Sequence, residues 1–226
     1  MNDTARTIDI HTHADQVRDG LYIYNAIPGQ AAAALRRHAR ISIGLHPWCL
    51  LDVEPQTVLD EVAERAGDPG VIAIGECGLD RLIEAPLDVQ THWFRQHLEI
   101  AERVDKPVIV HCVRAHNELV HTIKTVKLHV PVIIHGYNNN LRIAEQLWRC
   151  GILLSFGPSL LRPDAFVRQV LAACSDDGFF LETDDGEVAI ESIYAAAAEC
   201  RGVSRSRLET ILSGNYQRCF GSPRKC

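Results

Sequence analysis

Residues 107–111 read Pro107-Val108-Ile109-Val110-His111. Three consecutive β-branched residues with no polar alternate are the pattern of a parallel strand buried on both faces, and the proline ends whatever helix comes before it. The histidine then stands where the strand emerges. The same arrangement returns at Pro131-Val132-Ile133-Ile134-His135. Working outward, further apolar runs fall at Thr7 to Ile10, Leu21 to Ala26, Ile41 to Leu45, Val71 to Gly75, Ile152 to Ser155 and Phe179 to Glu182.

Segments with helical spacing lie between these runs, among them Val58, Val62 and Ala66, then Phe94, Leu98 and Ala101, then Val167, Leu171 and Cys174, then Ile190, Ile193 and Ala197. Each offers an apolar stripe able to cover a strand. Eight strands in βα alternation predict an α/β fold, a distorted TIM (β/α) barrel, with a doubly wound open sheet as the competing arrangement. His13 to Leu21 is too short for a full helix, so the first βα unit is expected to be degenerate.

The chain has 226 residues, 46% hydrophobic and 23% charged, which suits a single globular domain over 1–226. No apolar run approaches the ~20 residues that span a bilayer, and Met1 to Arg6 lack a signal-peptide core, so a cytoplasmic protein is expected. Eight cysteines without a C-x-x-C pair read as free thiols, mostly small core residues, with Cys226 exposed at the terminus. A net charge of -6 argues against a passive duplex-binding surface. It leaves phosphodiester substrates open, because divalent cations can supply the local positive charge. Nothing points to a membrane or to a stable protein partner.

The ionisable residues are placed by the same strands. His11 and His13 follow the first, Glu76 the fourth, His111 the fifth, His135 the sixth and Asp184 the eighth. In a barrel, the C-terminal strand ends carry the active site. His11 and His13 are two apart, so both imidazoles project to one side of a strand. Any one of these histidines taken alone could simply hydrogen-bond a carbonyl, and Asp184 alone could cap a helix. Together, four imidazoles and two carboxylates exceed one tetrahedral site, and the mixed N/O set suits two divalent ions such as Zn, Mn or Mg. A bridging carboxylate would hold such a pair ~3.5 to 4 Å apart with a hydroxide between them. Lys106, Lys124, Lys127 and Lys225 are the only lysines and none ends a strand, which leaves Glu76 as the bridge.

The motifs Ile8-Asp9-Ile10-His11-Thr12-His13, Gly44-Leu45-His46-Pro47, Gly75-Glu76-Cys77-Gly78-Leu79-Asp80, Pro107 to His111 and Leu181-Glu182-Thr183-Asp184, in this order, resemble the TatD-like metal-dependent hydrolases of the amidohydrolase superfamily. The resemblance covers nearly the whole chain. It implies one metal on His11, His13 and Asp184, another on His111 and His135, and Glu76 between them. It also implies hydrolysis of phosphodiesters, commonly by trimming single-stranded DNA, with His46 near the substrate and Leu212 to Phe220 as a closing helix. Three segments depart from the family pattern: Cys112-Val113-Arg114-Ala115, Gly136 to Asn140, and Asp185-Gly186-Glu187. They are expected to line the substrate side.

These readings make the chain a metal-dependent deoxyribonuclease acting on single-stranded DNA or a small phosphoester. Asp184 and Glu76 would be catalytic, and His46 and Arg114 would steady the phosphate. A metal-dependent hydrolase of an amide, ester or lactone is the alternative, and a non-enzymatic binding protein on an inherited barrel is a third.

Overall fold

The computed structural model describes residues 7–16 and 20–221. Within them run β1 (Ile8–Thr12), β2 (Leu21–Asn25), α1 (Ala31–Arg37), β3 (Ile41–Ile43), α2 (Pro55–Arg65), β4 (Val71–Asp80), α3 (Leu87–Val104), β5 (Val108–Val113) and α4 (His116–Val126). After these come β6 (Val132–Ile134), α5 (Leu141–Trp148), β7 (Leu153–Phe156), α6 (Phe166–Ala173), β8 (Phe179–Leu181), α7 (Ile190–Arg201) and α8 (Arg205–Phe220). Strand order follows sequence order from β1 to β8. Such parallel neighbours need a crossover, and from β2 onward each one contains an α-helix. Among the described residues no helix stands between β1 and β2, as expected of a degenerate first unit. Residues 17–19 of that connection lie outside the described residues, as do Met1 to Arg6 and Cys226.

The described residues divide into two compact units, one running from Tyr24 to Ile134, the other combining those up to Ile23 with His135 to Gly221. In the Tyr24 to Ile134 unit, α3 buries Phe94, Leu98 and Ala101, the stripe read from the sequence. The helix stops at Asp105, whose left-handed φ of 53° turns the chain, and Pro107 prevents it from resuming.

β4 is longer than its apolar run. It continues through Gly75 to Asp80, in register with β5 at Cys77↔Val110, Gly78↔His111 and Asp80↔Val113. Gly78 has φ +147°, and a Cβ there would collide with the carbonyl oxygen of His111. Gly78→Ala is therefore expected to destabilise the protein by about 2 kcal/mol or more, since both the backbone conformation and the close approach are lost. A thermal melt should show the midpoint falling by about 4 °C or more.

In the other unit, β7 and β8 pair at Leu154↔Phe179 and Phe156↔Leu181. β1 is anchored by Tyr194 of α7, whose hydroxyl accepts from Ile8 N at 2.8 Å and donates to Ile8 O at 3.0 Å. In α8, Asn215 Nδ2 donates to the carbonyls of Asp176 and Phe179, and Tyr216 stacks on Phe220.

Of the seven described cysteines, only Cys77 and Cys174 are buried. The other five are half-buried, so the expectation of core thiols holds for two. Burial pushes the thiols of Cys112 and Cys174 up to about 12, which keeps them protonated at neutral pH.

Candidate metal centre

Two groups of donors stand out, one in each unit. In the unit that contains β1, His11 lies inside the strand and His13 just past it. The backbone next pairs with the segment after β8: Asp184 N donates to His11 O at 2.9 Å and His13 N donates to Asp184 O at 3.0 Å. Asp184 adopts a left-handed φ of 55°, a region Asp tolerates better than most residues. This local ladder sets one carboxylate between two imidazoles, with Asp184 Oδ1 3.5 Å from His11 Nε2 and 3.6 Å from His13 Nε2. His135 follows β6, and its ring centroid is 4.3 Å from that of His11. Donor atoms of His11, His135 and Asp184 all lie within 4.8 Å of one another, close enough to share one ion. His11 and His135 are buried, whereas His13 is exposed.

A buried clamp holds this ladder. Thr183 N donates to Asp9 Oδ1 at 3.0 Å and the Thr183 hydroxyl to Asp9 Oδ2 at 2.7 Å, with Thr12 Oγ1 2.9 Å away. Burial pushes the Asp9 carboxyl up to about 6, against the pull of the Thr183 hydrogen bonds. Glu182, fully buried, accepts from Gly136 N and lies 3.4 Å from His135 Nδ1. A carboxylate behind a ligating imidazole fixes which ring nitrogen faces a metal. Glu182→Gln should therefore weaken metal binding in the apo protein by about 10- to 100-fold, measured by calorimetric titration.

In the Tyr24 to Ile134 unit the centre is Glu76, in the middle of β4 and buried. Asn25 grips it twice: Asn25 Nδ2 donates to Glu76 Oε2 at 3.1 Å, and Asn25 Oδ1 accepts from Glu76 N at 3.0 Å. Ser42 Oγ fixes the amide by donating to Asn25 Oδ1 at 3.1 Å. Glu76 Oε1 is 2.9 Å from His46 Nε2 and 3.1 Å from His111 Nδ1. His46 Nδ1 accepts from Trp48 N at 3.1 Å, so the ring proton sits on Nε2 and faces Glu76. His46, Glu76 and His111 form a second group with donors within 4.8 Å.

Sequence reasoning missed Asp80, Asn25, Asp9 and Glu182. Asp80 Oδ2 lies 3.2 Å from His111 Nε2 and accepts from Trp48 Nε1 at 2.7 Å. Burial raises the Asp80 carboxyl, but the hydrogen bonds from Trp48, Leu82 and His111 outweigh it and hold the group below the usual carboxylate range. His46, expected beside the substrate, has a ring nitrogen among the donors of this second group. Arg114 follows β5 at φ 52°, exposed, with its carbonyl accepting from Arg81 Nε at 3.0 Å. The segment Asp185-Gly186-Glu187 lines a cleft with His13, Ala14, Asp15 and Gln16.

Parallel βα units that gather imidazoles and carboxylates in this way define a metal-dependent hydrolase of the TIM-barrel type. The family model described as TatD related DNase matches residues 20–221. The chain belongs to that family. It is 26% identical over 200 residues to the uncharacterized metal-dependent hydrolase YjjV of Escherichia coli K12, covering 80% of this chain and 76% of YjjV. The crystal structure of YjjV superposes with a TM-score of 0.83 at 25% identity, over 96% of this chain and 98% of that one. A 3'-5' ssDNA/RNA exonuclease TatD from Cronobacter turicensis is 30% identical over 166 residues, covering 69% of this chain and 61% of the exonuclease. No described helix is long and apolar enough to cross a membrane.

Proposed function

We propose that this hydrolase cleaves phosphodiester bonds at the ends of single-stranded nucleic acid in the cytoplasm, as one functional domain over 1–226, using two divalent ions (Zn, Mn or Mg). The ligands in this reading are His11, His13, His135 and Asp184 from one unit and Glu76 and His111 from the other. The supporting observation is the placement of a carboxylate between imidazoles in each unit, Asp184 in one and Glu76 in the other. When bound, the ions supply Lewis acidity at a phosphoryl oxygen and bring the pKa of water towards neutrality.

The chain's own residues do the rest. Asp184, partly exposed beside His13, orients the attacking water and accepts its proton on a carboxylate oxygen. Glu76 holds its charge towards the imidazoles because Asn25 fixes its other oxygen. His46 offers its Nε2 proton, and Arg114 its guanidinium, to non-bridging phosphate oxygens. Asp9, Thr183 and Glu182 stay away from the substrate and keep the ligands in place.

The test is digestion of a labelled single-stranded oligonucleotide after chelation and after separate reloading with Zn, Mn and Mg. Activity lost with the chelator and regained with an ion is expected, and shortening should proceed from one end. Chelator-resistant digestion would overturn the reading. A second reading, hydrolysis of an amide, ester or lactone in a small molecule, is favoured by Asp15, Asp185 and Glu187 around the cleft beside His13. Three carboxylates there repel a phosphate backbone. Turnover of such esters with no digestion of DNA would select it.

A further inference from the structure

Trp48 is the one tryptophan of three that is exposed, yet it is held in place. It sits in the short 3-10 turn Pro47–Cys49 directly after His46. Its backbone N–H donates to His46 Nδ1 at 3.1 Å, and its indole N–H donates to Asp80 Oδ2 at 2.7 Å. Asp80 is itself buried, and its other oxygen accepts from Leu82 N at 2.8 Å. The indole stands nearly perpendicular to two imidazoles, with centroids 5.0 Å from His46 and 5.8 Å from His111. Trp48 still exposes 61% of its surface, and Leu82, tied to the same carboxylate, also exposes 61%.

A large aromatic ring left in water forgoes the burial that normally places tryptophan inside, and an anchored one has little further rotamer freedom to lose when a ligand arrives. Both features suit a flat apolar partner. From this geometry we infer that Trp48 is a stacking subsite for a nucleobase of the strand being hydrolysed, with Leu82 at its edge. The inference rests on the nuclease reading and adds the residue that would meet an unpaired base. A phosphate steadied by His46 has its own base one sugar away, and the indole centroid lies 5.0 Å from the His46 ring. Stacking accepts any base, because each has a π-face, and it requires that base to be free of its complement.

The experiment compares wild type, Trp48→Ala and Trp48→Phe on two strands of equal length: oligo-dT, and the same strand with abasic residues at the scissile end. The wild type should have a KM for the abasic strand about tenfold or more above that for oligo-dT. In Trp48→Ala this ratio should collapse towards one, with kcat on oligo-dT changed much less than KM. Trp48→Phe should retain most of the preference. In parallel, Trp48 fluorescence, taken as the difference between wild type and Trp48→Phe, should be quenched by oligo-dT in chelator and not by the abasic strand. An unchanged KM ratio in Trp48→Ala overturns the subsite while leaving the nuclease reading intact. Quenching without digestion in any metal overturns the nuclease reading while the subsite stands. Neither quenching nor digestion rejects both.

Discussion

Glu76→Gln is expected to lower kcat/KM by about 10³-fold or more while leaving the protein folded. Water without a bound cation has a pKa near 15.7 against about 7 with one, so losing a ligand that holds the ion withdraws nearly all hydroxide at neutral pH. The substitution keeps volume, and the amide oxygen can still accept from Asn25 Nδ2, now 3.1 Å from Glu76 Oε2. What it removes is the negative charge facing His46 Nε2 at 2.9 Å and His111 Nδ1 at 3.1 Å. The fold should therefore survive, because a buried carboxylate is replaced by a neutral group that keeps its hydrogen bond. Metal content per chain, measured by elemental analysis, should fall together with turnover, while the thermal midpoint shifts by only a few degrees. Full activity in Glu76→Gln would remove Glu76 from the ligand set. Substitution of Asp184 by Asn tests the other group in the same way, with loss of turnover expected even if some metal is retained.

The strands that were legible are those whose residues are uniformly β-branched. Val132–Ile134 is recovered with its bounds, and β5 differs only by extending to Val113. β4 is the instructive failure. After Ile74 the chain turns to Gly75, Glu76, Cys77 and Gly78, residues that speak for a turn, so the strand reads as ending at Gly75. The pairing of Gly78 with His111 shows why it continues: only a residue without Cβ allows this approach of the two backbones, and β5 supplies the hydrogen bonds. As a result Glu76 lies inside its strand and not at the end of it. Tertiary pairing overrides local preference there, and the preference is what a sequence displays.

The ligands themselves were legible because packing alone gives no reason for histidine to recur at the ends of apolar runs. Their supports were not, because Asn25, Asp9, Asp80 and Glu182 act by hydrogen bonds across elements distant in sequence. A signal did exist for two of them. Asn25 closes the strand Leu21–Asn25 and Asp9 interrupts Ile8–Thr12, and a polar side chain in a strand buried on both faces must find a partner. That requirement predicts a network without saying which residue completes it. His46 shows the converse. Its motif marked it as close to the substrate, while its 2.9 Å contact with Glu76 sets it among the metal-capable donors.

His97 carries the second large effect, on stability and not on chemistry. It is fully buried in α3, where its Nδ1 donates to Trp93 O at 2.8 Å and its Nε2 accepts from Leu45 N at 3.0 Å. Both ring positions are thereby committed to the neutral form, and burial depresses the imidazole from 6.5 to about 4. The unfolded chain binds a proton near 6.5 and the folded one only near 4, so the unfolded state carries more protons between those values. Stability from this group is complete above pH 6.5 and is lost as pH falls towards 4, by about 2 kcal/mol at pH 5 and about 3 kcal/mol in all. Urea titrations at pH 7 and pH 5 measure this directly when wild type is compared with His97→Gln. Glutamine can accept from Leu45 N–H without titrating, so the variant should be somewhat less stable at pH 7 and should lose about 2 kcal/mol less on going to pH 5. His97→Leu leaves the Leu45 N–H buried without an acceptor, which costs about 1 to 3 kcal/mol at pH 7. Because Leu45 directly precedes His46, that variant should also weaken metal binding, an effect glutamine should largely restore. Identical pH slopes for wild type and His97→Gln would show that the imidazole is not held neutral, and that the backbone beneath His46 is anchored by something other than this ring.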